Sequence, residues 1–178
     1  MTDSLLANQI QNIMKTQLTI TELTKENLVD LFSTAFYGSN YLSADYEESI
    51  EHDEEDCHEE IMANILLNGG KIFVTDHYAE DGEVYGNLHC RVSEADEDGV
   101  ITTTYFVTLT DIIKGLEKAA NGTFNAGRDC KVFTDWRERN LEFARRSFNA
   151  FAFDESEWDL TTADCLMQII LFDEIVYG

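Results

Sequence analysis

The sequence predicts an α+β fold: a three- to four-stranded, mainly antiparallel sheet packed by helices from both ends of the chain. Three observations carry this expectation. Strand-like runs rich in β-branched residues occupy 71–77, 84–92 and 100–108. Segments with helical apolar spacing stand before and after them. Asp-Gly turns separate the runs, which suits strands joined by hairpins better than strands alternating with long helices.

The elements follow in chain order. Residues 3–15 (DSLLANQIQNIMK) place Leu6, Ile10, Ile13 and Met14 on one helical side, with Asp3 or Ser4 as cap. Residues 17–21 (QLTIT) alternate and read as a short strand. Thr24 caps a helix at 25–37 whose inner face is Leu28, Leu31, Phe32, Ala35 and Phe36, with Gly38 as its stop. The stretch 39–56 is polar and acidic and begins as loop. A helix over 57–67 turns Ile61, Ile65 and Leu66 inward and stops at Asn68-Gly69-Gly70.

Turns at Glu80-Asp81-Gly82 and at EADEDG (94–99) then favour a sequential meander of the three strands. In the second strand Val84, Gly86, Leu88, Cys90 and Val92 oppose Tyr85, Asn87, His89 and Arg91, giving one apolar face and one polar face. Thr110 caps a helix at 111–120, with Ile112, Ile113 and Leu116 as its stripe. Residues 131–149 read as a basic helix, and 161–172 (TTADCLMQIILF) as a central apolar one. The chain has no proline, no Ser/Gly linker and no repeat, so 1–178 reads as a single domain.

Charge is the outlying property. Thirty-five Asp and Glu face twelve Lys and Arg, a formal net charge of -23. That argues against a protein that tracks nucleic-acid phosphates or docks on anionic lipid. Residues 45–60 hold ten carboxylates and no Lys or Arg: Asp45, Glu47, Glu48, Glu51, Asp53, Glu54, Glu55, Asp56, Glu59 and Glu60. Drawn as a helix, this segment is about 24 Å long, or one carboxylate per about 2.4 Å. B-DNA carries one phosphate charge per about 1.7 Å of axis, a comparable density. A second acidic stretch, 76–98, includes Glu94, Asp96, Glu97 and Asp98. Basic residues gather in 128–146, where Arg137, Arg139, Arg145 and Arg146 form a basic element. This element either neutralises the acidic run within the molecule or meets a partner. An acidic run also serves simply as a solvated face, and salt adaptation gives the same composition.

The motifs of catalysis are absent. The sequence has no GxSxG, P-loop, HExxH or strand-following GxGxxG. Cys57, Cys90, Cys130 and Cys165 form no CxxC pair, and His52, Cys57 and His58 match no metal-ligand spacing. EADEDG lacks the alternating ligands of a calcium loop. No catalytic residue, metal site or cofactor is therefore expected. MTDSLLANQI lacks the pattern of a secretion signal, and reduced thiols in a cytosol are expected.

Two segments, VTLTDIIKGLEKAANG (107–122) and DLTTADCLMQIILFDEIVYG (159–178), resemble parts of small acidic proteins carried by phages and conjugative elements. The resemblance implies a context, a host bacterial cytoplasm, and transfers no functional residue. Small acidic proteins of mobile elements often block host defence nucleases, as restriction inhibitors and anti-CRISPR proteins do. The leading expectation is an acidic nucleic-acid mimic whose partner is the basic surface of a nuclease or CRISPR effector, with no membrane partner and no direct nucleic-acid binding. Two alternatives stand beside it. One is an oligomeric or scaffold protein in which 128–146 meets the acidic body of another subunit. The other is an enzyme whose site forms only in the fold, joining His77 or His89 with Arg137 or Arg139.

Overall fold

The structure is a computed structural model that describes residues 23–37, 39, 41–53, 55–79, 82–121, 123–126 and 160–177. The helix expected at 3–15, the strand at 17–21 and the basic element with Arg137, Arg139, Arg145 and Arg146 lie outside the described residues. The described elements are α1 (Lys25–Phe36), β1 (Leu42–Asp45), α2 (His58–Leu67), β2 (Lys71–Asp76), β3 (Cys90–Val92), β4 (Thr103–Thr108), α3 (Leu109–Asn121), β5 (Asn125–Ala126), α4 (Leu160–Phe172) and β6 (Glu174–Ile175). The architecture is α+β: helices from both sides of the chain pack on a four-stranded antiparallel sheet.

Helix ends follow local chemistry. Thr24 and Asn27 cap α1 reciprocally: Asn27 N–H donates to Thr24 Oγ1 (3.2 Å), and Thr24 N–H donates to Asn27 Oδ1 (3.0 Å). At α2, Glu60 reaches back so that its carboxylate accepts from Cys57 N–H (3.1 Å). Gly69 and Gly70 close that helix by donating to Leu66 and Ile65 carbonyls. The cap of α3 is Thr108 rather than Thr110. Its N–H donates to Asp111 Oδ2 (3.0 Å), and its hydroxyl accepts from Asp111 N–H (3.4 Å). The helix therefore leaves β4 directly.

The sheet order is β1-β2-β4-β3, with every pair antiparallel. The expected meander would have placed β3 between β2 and β4. Instead β2 and β4 pair along their whole length, from Lys71↔Thr108 to Asp76↔Thr103. β3 thus runs parallel to β2, and parallel strands need a crossover rather than a hairpin. The strand expected over 84–92 shortens to Cys90–Val92 for this reason. Its first half is spent on the crossover, which lies against the buried side of β4: Tyr85 N–H donates to Tyr105 Oη (3.0 Å), and Thr103 Oγ1 donates to the Glu83 carbonyl (3.2 Å). Gly86 sits there at φ +70, where a Cβ would lie 2.7 Å from the Leu171 carbonyl oxygen.

One face of the sheet meets the helices. Ile72, Val74, Tyr105 and Val107 are fully buried there, with Leu28, Leu31 and Phe32 of α1 and Ile112 and Leu116 of α3. α4 is the centre of this layer. Ile169 and Ile170 are β-branched and cost a few tenths of a kcal/mol each in helix propensity, roughly. Burial of Met167, Ile169 and Leu171 at about 2 kcal/mol each outweighs that cost. α4 also crosses α3 closely, since a Cβ on Gly115 would fall 2.6 Å from Ile170 Cα. After α4, Asp173 takes φ +60 and pairs with Lys118 (2.8 Å), and the chain enters β6, which runs parallel to β5.

Candidate acidic interaction surface

The acidic segment 45–60 is not the continuous helix that the density comparison assumed. It comprises the end of β1, a loop with turns at Glu47–Ile50 and Asp53–Asp56, and the first turn of α2. Side chains within it hold the loop in shape. His58 Nε2–H donates to the Ala44 carbonyl (3.0 Å), which ties the start of α2 to β1. The Tyr46 ring packs against both His52 and His58, at 5.9 and 5.0 Å between centroids.

The carboxylates divide into spent and free. Asp45 Oδ1 accepts from Tyr46 N–H (2.7 Å), and Asp56 Oδ2 accepts from Asn64 Nδ2 (3.4 Å). Glu60 accepts from Cys57 N–H and pairs with Lys25 (3.3 Å); the backbone N–H first and the ammonium second hold its carboxyl below the ordinary range. Glu59 is half-buried, and Glu54 lies outside the described residues. Glu47, Glu48, Glu51, Asp53 and Glu55 are exposed and have no ion pair or side-chain hydrogen bond among the described residues.

Glu51, Asp53 and Asp56 border a groove of about 620 Å³. Ile50, Ile61 and Ile65 supply its apolar part, and Asn64 and Asn68 supply amides along α2. Apolar walls with a carboxylate rim accommodate the stem and head of a long cationic side chain.

The second acidic group lies elsewhere. Asp96 Oδ1 accepts from Asp98 and Val100 N–H (2.9 and 2.8 Å), so this carboxylate builds the turn between β3 and β4. Glu94, Glu97 and Asp98 are exposed and without a side-chain partner among the described residues. Register fixes the separation of the two groups. Asp45 lies in the row of Phe73 and Phe106, whereas Val92 pairs with Thr103, three residues further along β4. Those strand ends are roughly 17 Å apart across three strand spacings. The 46–57 loop leaves one edge at one end of the sheet, and the 93–102 turn leaves the other edge at the opposite end. The acidic residues expected to form one partner surface thus occupy two diagonal corners.

A polar cluster that sequence reasoning missed lies under the sheet. Tyr41 Oη donates to Asp164 Oδ2, and Gln168 Nε2 donates to the same oxygen (2.8 Å) and to the Tyr177 carbonyl (2.9 Å). Gln168 Oε1 accepts from Val176 and Tyr177 N–H (2.8 and 2.7 Å). Burial pushes the Asp164 carboxyl up, against the hydrogen bonds from Tyr41 and Gln168. These groups bond to one another, and they tie α4 to Tyr41, just before β1, and to the segment after β6. A signal was present in the sequence: Asp164 and Gln168 are polar residues four apart in the most apolar helix.

Among the described residues, no three His, Cys, Asp or Glu side chains converge as a metal site requires, and no helix is long and apolar enough to cross a membrane. His77 and His89 are both exposed, on the face of the sheet away from the helices. No protein-family model, no curated protein and no solved structure matches the chain.

Proposed function

We propose that this protein is a nucleic-acid mimic of the anti-restriction or anti-CRISPR type, which occupies the basic nucleic-acid-binding surface of a host defence protein. The observation that carries the reading is a tied-down loop whose carboxylates Glu47, Glu48, Glu51, Asp53 and Glu55 are exposed and have no ion pair among the described residues. Arg and Lys side chains that normally hold phosphates would hold these carboxylates by charge-assisted hydrogen bonds. A net charge of -23 would steer a cationic channel toward the molecule and make association salt-sensitive. The groove bordered by Glu51, Asp53 and Asp56 would receive one such cationic side chain along α2.

The test uses a set of purified restriction and CRISPR nucleases whose DNA cleavage is measured with and without the protein. Inhibition of at least one nuclease is expected, relieved by added salt. The triple reversal Glu51→Lys, Asp53→Lys, Glu55→Lys should weaken it by about a hundredfold, since each exposed charge contact is worth roughly 1 kcal/mol. Reversal of Glu94, Glu97 and Asp98 reports whether the second corner contributes. Inhibition that survives both triple reversals would sink the mimic reading, and so would the absence of inhibition across the set.

A further inference from the structure

The face of the sheet away from the helices is ordered in two rows that read across all four strands. One row runs Asp45, Phe73, Phe106, His89, and the next runs Ser43, Thr75, Thr104, Arg91. Phe73 and Phe106 are partly buried, with their rings edge to face at 5.5 Å. His89 lies 4.9 Å from Phe106, and Lys71 Nζ sits 4.9 Å from the Phe106 centroid. Each row is close to a palindrome in shape, and across the two rows the acid, Asp45, stands on the β1 edge and the base, Arg91, on the β3 edge. Lys71 and Arg91 have no carboxylate partner among the described residues.

We propose that this face docks on the same face of a second copy of the chain, about a two-fold axis that lies between the sheets and runs along the strands. That rotation exchanges the two edges and keeps the rows in place. Phe73 then meets Phe106 of the other copy, Thr75 meets Thr104, and Asp45 lies over the His89 and Arg91 edge. The acidic corners also agree with this operator. Each copy holds its two acidic groups at diagonal corners of the sheet, and the rotation sends the second copy's groups to the two vacant corners. The contact is isologous, as closed dimers require, and it brings unlike charges together while keeping the acidic groups apart.

The face is small, roughly 14 Å across and 17 Å along the strands. That is below a standard interface and places the contact in the weak, transient class. Two bodies of charge -23 also repel, so association strengthens with salt. Between about 20 mM and about 300 mM sodium chloride the screening length falls from roughly 20 Å to roughly 6 Å. This is the opposite salt dependence from docking on a basic partner, which separates this inference from the mimic reading.

The experiment is sedimentation velocity on the full chain at up to about 500 µM, at the two salt concentrations above. A dimer fraction that rises with salt is expected. Asp45→Arg should weaken the dimer about tenfold although it lowers the net repulsion, and adding Arg91→Asp should restore it to within about threefold. Phe106→Arg should abolish it, with circular dichroism confirming that each variant folds. A monomer at every concentration, a dimer that dissociates as salt rises, or a dimer indifferent to Asp45→Arg and Phe106→Arg would overturn the proposal. So would nucleic acid or another molecule found seated on this face.

Discussion

Tyr177 donates its phenol proton to Asp76 Oδ2 at 2.8 Å, although 101 positions separate the two residues. Asp76 is fully buried, and its other oxygen accepts from Tyr78 N–H at 2.9 Å. The bond therefore supplies one of the two donors that this buried carboxylate has among the described residues.

Tyr177→Phe removes that donor and leaves a buried carboxylate oxygen unpaired. The expected cost is about 1–3 kcal/mol of folding stability, read from urea denaturation. Asp76→Asn, which keeps an acceptor oxygen at that place, should cost less. A change within about 0.5 kcal/mol for Tyr177→Phe would show that the bond adds nothing measurable.

Alkaline pH should unfold the protein through its tyrosines. Burial is the largest cause raising Tyr41, Tyr105 and Tyr177, and Tyr105 is pushed up to about 12. The folded state then holds protons that the unfolded state releases, so stability is full below the ordinary value near 10 and is lost as pH rises beyond it. Absorbance at the phenolate band should show these three of the seven tyrosines ionising only together with unfolding. Early titration of all seven below about pH 11 would contradict the burial argument.

Asp164 has the opposite consequence from an ordinary surface carboxylate. Its burial raises the folded value above the unfolded one, so it contributes stability at acid pH that is lost as pH rises through the folded value. Oδ1 of this carboxylate has no partner among the described residues. Asp164→Asn keeps an acceptor for Tyr41 and Gln168 and removes the charge. The variant should gain stability relative to the parent as pH rises through the folded value, in urea titrations at stepped pH. A difference that does not change with pH would refute this.

Gly86→Ala should be severe. The residue combines φ +70 with an approach in which a Cβ would lie 2.7 Å from Leu171 O and 2.9 Å from Phe172 C. Both neighbours are backbone at the end of α4 and cannot move aside cheaply. A loss of about 2–4 kcal/mol is expected, against about 0.5 kcal/mol or less for alanine at an unconstrained loop glycine. A mild effect would mean that the crossover is displaced without cost.

Gly86 also shows where the sequence was legible and where it was not. The alternation of 84–92 has the period of a strand, and the fold class it supports is correct. Periodicity does not report which strand lies beside which, and pairing of β2 with β4 turned the first half of that run into a crossover. β1 was hidden for a different reason: in Leu42–Asp45 only Leu42 is buried, so a short edge strand looks like acidic loop. The helices were legible because their apolar faces and caps are local, although Thr108 displaced Thr110 as the cap of α3. For the acidic surface, the count of carboxylates could be read directly. Which of them are spent could not, since Asp96 and Glu60 bond to backbone N–H groups that only the folded turn and helix present.

The central position of α4 carries a hazard during folding. Ala163, Cys165, Leu166, Met167, Ile169, Ile170, Leu171 and Phe172 are all buried, so this helix is apolar nearly all round. The polar anchor of this helix, Tyr41 to Asp164, and that of the segment after it, Asp76 to Tyr177, join residues more than a hundred positions apart. Such contacts form late, because distant parts of the chain must meet first. Until they do, α4 is a sticky surface on a partly folded molecule, the kind of species that aggregates. The same charge of -23 that would attract a basic partner keeps those unfinished molecules apart, so the carboxylates serve as a colloidal safeguard before any surface exists for them to decorate.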